Sequence, residues 1–301
     1  MAEGPSGGGT AGDSVIHDIG YRTYDGPRVD SRSIGWSLFL TGLQHAYGFG
    51  RSGKAKALPL SMLALSLVPA VIIVALMVVA GFGGNFVDYS TYSGSTFVLI
   101  VVFTAGQSPV LFTRDLRSGS IVLYLARPLS GTWFALLRWA SLACAIFAFT
   151  VIPVLLLYAG ALAAEADAGE QSADLAQAVA GLVVLATVLA TICGVVSAFT
   201  LRRGLAVGAI IVALLVSNGF VSAVKGIAAV QGNDSLGQWV GLLSPFTLVD
   251  GLNAGLLDGT EFYPLAPQTP LMTGVYAVTV VLVLAVGLWL LIRRYHQQGT
   301  R

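Results

Sequence analysis

The sequence predicts an all-α membrane protein, and three observations carry that prediction. Of its 301 residues, 55% are hydrophobic and only 10% are charged, and the mean hydropathy is +0.80. Soluble domains carry about 25% charged residues, so this chain has too little polar surface to cover a globule in water. Uncharged stretches of bilayer length recur along the chain, and basic residues gather in the connections between them.

Six apolar stretches are the predicted transmembrane helices, since a helix needs about 20 apolar residues to cross the hydrocarbon core. They lie near 58–79, 95–112, 133–162, 175–201, 204–224 and 271–292. The second is at the short end for a span and contains Pro109. Residues 225–270 are Gly-rich and acidic, with apolar pieces too short to cross, which we interpret as a re-entrant hairpin or interfacial helices.

Residues 1–33 are predicted to be a disordered or loop-like cytoplasmic region, ahead of a single six-span membrane domain at 34–301. Residues 1–14 are Gly-rich and polar and lack the apolar core of a cleavable signal peptide. Directly before the first span, apolar residues at helical spacing predict an amphipathic helix in the plane of the interface. These residues are Trp36, Leu40, Leu43 and Tyr47.

The distribution of Lys and Arg predicts the orientation. Six spans place both termini on one side of the membrane, and the excess of basic residues marks the cytoplasmic side. With the N-terminus inside, Lys225 alone among the basic residues is expected outside. Both termini are therefore expected in the cytoplasm.

Several function classes find no support among the residues. The middles of the spans hold essentially no ionisable groups, which argues against a proton relay within this chain. No HExxH motif, membrane aspartate pair or Ser-His-acid set is present, and Cys144 and Cys193 fall inside apolar stretches, where we interpret them as packing residues. We therefore expect neither a catalytic residue nor a metal site, and the net charge of +1 gives no sign of a nucleic-acid partner.

A Gly-rich stretch before the first span superficially resembles a nucleotide-binding loop. Residues 48–54 end in Lys54, but the next residue is Ala55 and not the Ser or Thr that such a loop requires. We interpret the stretch as a basic hinge. If ATP drives this protein, another chain must bind it.

Polar residues within the predicted spans have two interpretations. They could form hydrogen bonds between helices, or they could line a translocation path, and their spacing does not decide between the two. The candidates for such a path are Gln107, Thr187, Thr191, Ser197 and Asn218.

The connection between the second and third predicted spans is the most distinctive stretch. Residues 113–130 carry both signs of charge and a compact apolar cluster, and the topology places them in the cytoplasm. Charged groups there could make charge-assisted bonds to a partner, apolar side chains could insert into it, and Gly and Pro would limit a helix. The candidate contact residues are Asp115, Arg117, Gly119, Ile121, Arg127 and Pro128. An ordinary inside loop with positive-inside arginines is the alternative, but it does not account for a long, partly apolar segment.

Three motifs carry a resemblance to a known family. The connection reads as an acidic residue, Gly119-Ser120, an apolar stretch at 121–125 and a Pro-containing end at 127–130. Residues 17–28 and the Ser244-Pro245-Phe246 stretch add to it. Together with the layout of spans, these motifs resemble the ABC-2 type permeases of bacterial ABC exporters, especially those of high-GC actinobacteria. Asp115 stands where the family frequently has Glu, and Gly131 where a basic residue often follows.

The resemblance implies a type V exporter-like fold in a bacterial plasma membrane. The pore would form from two permease chains, identical or similar, with two copies of a separate ABC ATP-binding subunit on the cytoplasmic face. ATP and Mg would be bound by that subunit, and this chain would hold no cofactor of its own. The connection at 113–130 would be the coupling helix that meets the ATP-binding subunit.

Two functions remain open at this point. The first is an exporter subunit, and the apolar spans suggest an amphipathic or lipophilic cargo such as a drug, lipid or peptide. The second is a non-transporting membrane anchor or signalling subunit that tethers an ATPase. It would need the same coupling segment but no cargo path.

Overall fold

The computed structural model describes residues 30–50, 53–79, 88–113, 130–200, 202–257 and 259–299. Throughout these ranges the chain forms helices and turns, without a strand. Five of the helices are long and apolar enough to cross a bilayer. The chain is therefore a multi-pass α-helical membrane protein. Residues 1–29 of the predicted N-terminal region at 1–33, and the whole of 114–129, lie outside the described residues, so the coupling segment stays a prediction. The predicted end of the N-terminal loop-like region is wrong, because a helix begins at Ser31.

The described helices are α1 (Ser31–Ala46), α2 (Gly53–Val79), α3 (Tyr92–Ser95), α4 (Phe97–Leu111), α5 (Gly131–Ala163), α6 (Ala168–Phe199), α7 (Arg203–Gln231), α8 (Asp234–Val240), a 3-10 turn (Gly241–Leu243), α9 (Pro245–Leu257) and α10 (Pro270–Gly299). Of these, α2, α5, α6, α7 and α10 have the length of a membrane span. The 15 residues of α4 extend about 22 Å at 1.5 Å per residue, short of the hydrocarbon core of about 30 Å.

Several helices extend beyond the predicted spans, and two of these extensions bear on charged residues of the site. α6 begins at Ala168, seven residues before the predicted span at 175–201, because Asp167 caps it by accepting hydrogen bonds from Gly169 N and Glu170 N. α7 continues to Gln231, so Lys225 lies within a helix and not at the start of the outer segment. The sequence placed the end of this span at the first charged residue, and the helix continues past it.

α4 lies at the centre of the bundle. It packs against α1, α2, α5, α6 and α7, and every described residue from Phe103 to Thr113 is buried. The Phe103 ring stacks on Phe149 of α5 with centroids 4.3 Å apart. Ser108 Oγ lies 2.8 Å from both the Cys193 carbonyl oxygen and Ser197 Oγ of α6. Protein surrounds most of α4, and Val98 near its start is its one large apolar side chain that is exposed.

Three long helices present wide apolar faces to the outside. Less than a third of the most apolar window of each is buried within the chain. Large exposed side chains on these faces include Val71 and Ile72 of α2, Val212 and Val216 of α7, and Leu282 and Val286 of α10. Such faces are in contact with lipid or with another protein chain.

α1 packs along α5 through small residues. Gly42 is buried, and a Cβ atom added there would lie 2.5 Å from Ser141 Oγ, while Ser141 Oγ donates to the Phe39 carbonyl oxygen at 3.0 Å. Only two of the four residues of the predicted amphipathic face are packed inside the protein. Leu43 and Tyr47 pack against the core, and Trp36 and Leu40 are exposed. Tyr47 Oη also donates to the Ala145 carbonyl oxygen at 2.8 Å.

Candidate functional site

The two ends of the bundle carry opposite charges. At one end, here the basic end, α6 and α10 finish beside the start of α5: Arg294 Nε donates to the Ala198 carbonyl oxygen at 3.3 Å, and Thr132 Oγ1 lies 2.8 Å from His296 Nε2. Nearly all described basic residues lie at or near this end, namely Arg32, Lys54, Lys56, Arg138, Arg202, Arg203, Arg293 and Arg294. The opposite end, here the acidic end, holds Asp88, Glu165, Asp167, Glu170, Asp174, Asp234, Asp250 and Glu261.

The predicted coupling segment is bounded by residues of the basic end. Before it, Thr113 Oγ1 donates to the Ser197 carbonyl oxygen of α6 at 2.8 Å. After it, Ser130 caps α5 by accepting a hydrogen bond from Trp133 N at 3.3 Å, and Gly131 lies beside the backbone of Tyr295 in α10. The segment thus leaves the buried helix α4 and enters α5, both at the basic end.

The acidic end contains one described basic residue, Lys225, and it is completely buried. Its ammonium group lies in the region where α7 meets Gly241 and Tyr276, and Nζ has no hydrogen-bond partner in the part of the chain that the structure describes. Asp250 and Glu261 both interact electrostatically with it. A buried charge is costly unless opposite charges compensate it, so these carboxylates are what makes Lys225 tolerable there.

Both carboxylates also hold the connection between α9 and α10. The oxygens of Asp250 accept hydrogen bonds from Phe262 N at 3.1 Å and Tyr263 N at 3.0 Å, and Glu261 Oε2 accepts one from Ala266 N at 2.8 Å. Burial raises the pKa of the Asp250 carboxyl, and the two backbone hydrogen bonds oppose that rise. Burial also raises the pKa of Tyr263 to about 12. The three charges therefore link α7, α9 and the connection that precedes α10.

A small cavity adjoins this charge cluster. It has a volume of about 20 Å³, which is room for about one water molecule. Apolar side chains from α6 and α9 form much of its wall, and polar groups converge on it from three parts of the chain. The polar lining residues are Ser90, Ser93, Asp250, Asn253 and Tyr263.

Three of the five residues proposed for a translocation path form hydrogen bonds to other parts of the bundle. Ser197 bonds Ser108 of α4, Thr191 Oγ1 accepts a hydrogen bond from Trp139 Nε1 at 2.9 Å, and Asn218 Oδ1 accepts one from Ser244 Oγ at 3.2 Å. Thr187 Oγ1 donates within α6 to the Val184 carbonyl oxygen, and Gln107 is buried in α4. None of the five lines the cavity described above, and their place on a cargo path stays a prediction.

Sequence reasoning missed the charge cluster of Lys225, Asp250 and Glu261. Lys225 was expected on the outer side of the membrane, because it directly follows the predicted span at 204–224. One signal was available: Leu214, Asn218 and Lys225 recur at helical spacing, so they share a face of α7. A lysine that shares a helix face with a leucine and an asparagine is a candidate for burial, but its partners lie 25 and 36 residues further along the chain and leave no local pattern.

The fold and these contacts define a multi-pass α-helical membrane protein whose two ends differ in chemistry. No protein-family model matches the chain. No curated protein matches it either.

Proposed function

We propose that this chain is the transmembrane permease subunit of an ATP-driven exporter, with the basic end in the cytoplasm of a bacterial cell. In this arrangement α3 and α4, separated only by Thr96, together form the second of six spans, and both termini are cytoplasmic. The concentration of Lys and Arg at one end supports this orientation, because cytoplasmic connections are enriched in basic residues.

The proposal rests on the two described residues that flank segment 114–129. Thr113 follows the buried helix α4, Ser130 caps α5, the longest described helix, and both residues lie at the basic end. A force applied to the connecting segment would therefore act on α4 and α5, which pack against most of the bundle. The residues proposed to meet the ATP-binding subunit are the six candidates between Asp115 and Pro128, whose charges and apolar side chains suit a mixed interface.

Two further features support an assembly of several chains. The chain has no nucleotide-binding loop in its sequence, so ATP and Mg would be bound by two copies of a partner subunit. The cavity at the acidic end is far too small for an amphipathic or lipophilic cargo. A cargo path would instead form between two permease chains, for which the exposed faces of α2, α7 and α10 leave ample apolar surface.

The experiment uses charge reversal in the coupling segment. Asp115→Lys or Arg127→Glu is expected to leave the protein in the membrane while reducing co-purification of the ATP-binding subunit, taken from a neighbouring gene, and its ATPase stimulation. Arg32→Glu, an exposed basic residue on α1, is the matched control and should behave as wild type. Unchanged co-purification and stimulation in both segment variants would refute the coupling role.

A transport measurement separates the exporter from the membrane anchor. Vesicles containing the permease and the ATP-binding subunit should accumulate a lipophilic cationic dye or a labelled lipid in an ATP-dependent manner. An anchor would recruit the ATPase and stimulate it without any ATP-dependent movement of cargo.

A further inference from the structure

We propose that the cavity at the acidic end binds a small monovalent cation, for which Na⁺ is the probe. The inference does not depend on the exporter proposal, since it concerns only the groups that line this cavity. Three observations carry it: the hydrogen-bonding state of the lining hydroxyls, an unpartnered buried amide oxygen, and the charge of the adjoining cluster.

Both serine hydroxyls at the cavity donate their hydrogen bonds to backbone carbonyl oxygens. Ser90 Oγ donates to the Thr260 carbonyl oxygen at 3.1 Å, and Ser93 Oγ donates to the Ser90 carbonyl oxygen at 3.4 Å. A hydroxyl has one proton and two lone pairs, so what remains on each oxygen is acceptor capacity. Asp250, as a carboxylate, likewise presents only acceptors.

Asn253 supplies an acceptor without a donor. Its side chain is 8% exposed, and its Oδ1 atom has no hydrogen-bond partner among the described residues. Leaving such a group unsatisfied costs about 1–3 kcal/mol. A Cβ atom added to Gly181 of α6 would lie 2.9 Å from this oxygen, so the absence of a side chain at Gly181 gives the amide its position against the cavity wall.

The adjoining charges leave one negative charge in excess. Asp250 and Glu261 face a single ammonium group, that of Lys225, which does not itself line the cavity. The polar groups of the cavity are one carboxylate, the hydroxyls of two serines and Tyr263, and the Asn253 amide. With room for about one water molecule, they suit a small ion of low charge. Ca²⁺ takes six to eight oxygen ligands and Mg²⁺ a near-ideal octahedral shell, which favours a monovalent ion here.

The test is thermal unfolding of the purified full chain in lipid nanodiscs. NaCl replaces N-methylglucamine chloride at constant ionic strength, and the unfolding midpoint is expected to rise with Na⁺ concentration, as for any ligand of the folded state. Ser93→Ala removes one oxygen ligand with little effect on packing, and it should raise the Na⁺ concentration needed for a given shift roughly tenfold. Gly181→Ala, which displaces Asn253 without changing charge, should weaken the response further.

Asp174→Asn is the control, because Asp174 is an exposed carboxylate of the same end outside the cavity. It should keep the wild-type response to Na⁺. A wild-type midpoint independent of Na⁺ would mean that the cavity holds water only, and it would overturn the proposal. So would a Na⁺ response that all three variants share equally, or a response to Ca²⁺ alone.

Discussion

Lys225 brings a positive charge to the end of the molecule where the other described charges are negative. Its position on α7 is buried completely, so the cost of removing the ammonium group from water must be met by Asp250 and Glu261. Because Asp250 also receives two backbone hydrogen bonds from residues 262 and 263, one electrostatic cluster fixes a spanning helix to the connection beyond α9.

Replacing Lys225 by Met is expected to destabilise the protein by about 3 kcal/mol, because it leaves two carboxylates without their compensating charge. The measurement is thermal unfolding in nanodiscs. Adding Asp250→Asn to the Lys225→Met variant should recover much of the loss.

Lys54→Met is the matched control for this experiment, since Lys54 is exposed at the basic end, and it should unfold like wild type. If Lys225→Met also unfolds like wild type, the cluster contributes nothing to the fold. If Asp250→Asn adds its own loss without any recovery, the two residues are not coupled.

At the scale of elements, the contact between α1 and α5 depends on the absence of a side chain. Gly42→Ala would bring a methyl group to within 2.5–2.8 Å of Ser141, and we expect a loss of about 1–3 kcal/mol from overpacking. Gly208→Ala on α7 is the control, because nothing lies within 4 Å of the added atom. Unfolding midpoints of the two variants should move apart, and equal midpoints would contradict close packing of α1.

The helices themselves could be predicted from the sequence better than their roles. Uncharged stretches of about 20 residues have few alternatives in a chain this apolar, and the five long helices overlap the stretches predicted for them. The central position of α4 could not be predicted, because a short apolar run has the same composition whether it faces lipid or protein. The same limit applied to α1, where the pattern of large apolar residues predicted one face, but only Leu43 and Tyr47 of that face pack inward, beside Gly42.

The charge cluster and the cavity could not be predicted from the sequence either. Their groups come from α3, α7, α9 and the connection at 259–269, so they meet only after folding. Asn253 and Ser93 carry no local motif that would mark them as neighbours. The coupling segment differs, because its residues form a recognisable pattern in the sequence. The structure supports its proposed role only through Thr113 and Ser130, which flank it.

At the scale of the whole molecule, the separation of charge gives the two ends different tasks in the account proposed here. The basic end would face the cytoplasm and meet the ATP-binding subunit through residues 114–129. The acidic end, held together by the Lys225 cluster, would face the outside. Between them, the exposed faces of α2, α7 and α10 would meet lipid and a second permease chain.

The most direct test of this account is photo-crosslinking in intact cells that also express the ATP-binding subunit. A photoreactive amino acid replaces Ile121 in the coupling segment or, as the control, Ser235 at the start of α8, an exposed residue of the acidic end. The account predicts a crosslink to the ATP-binding subunit from position 121 and none from position 235. A crosslink from position 235, or none from position 121 in a chain that still recruits the ATPase, would contradict it.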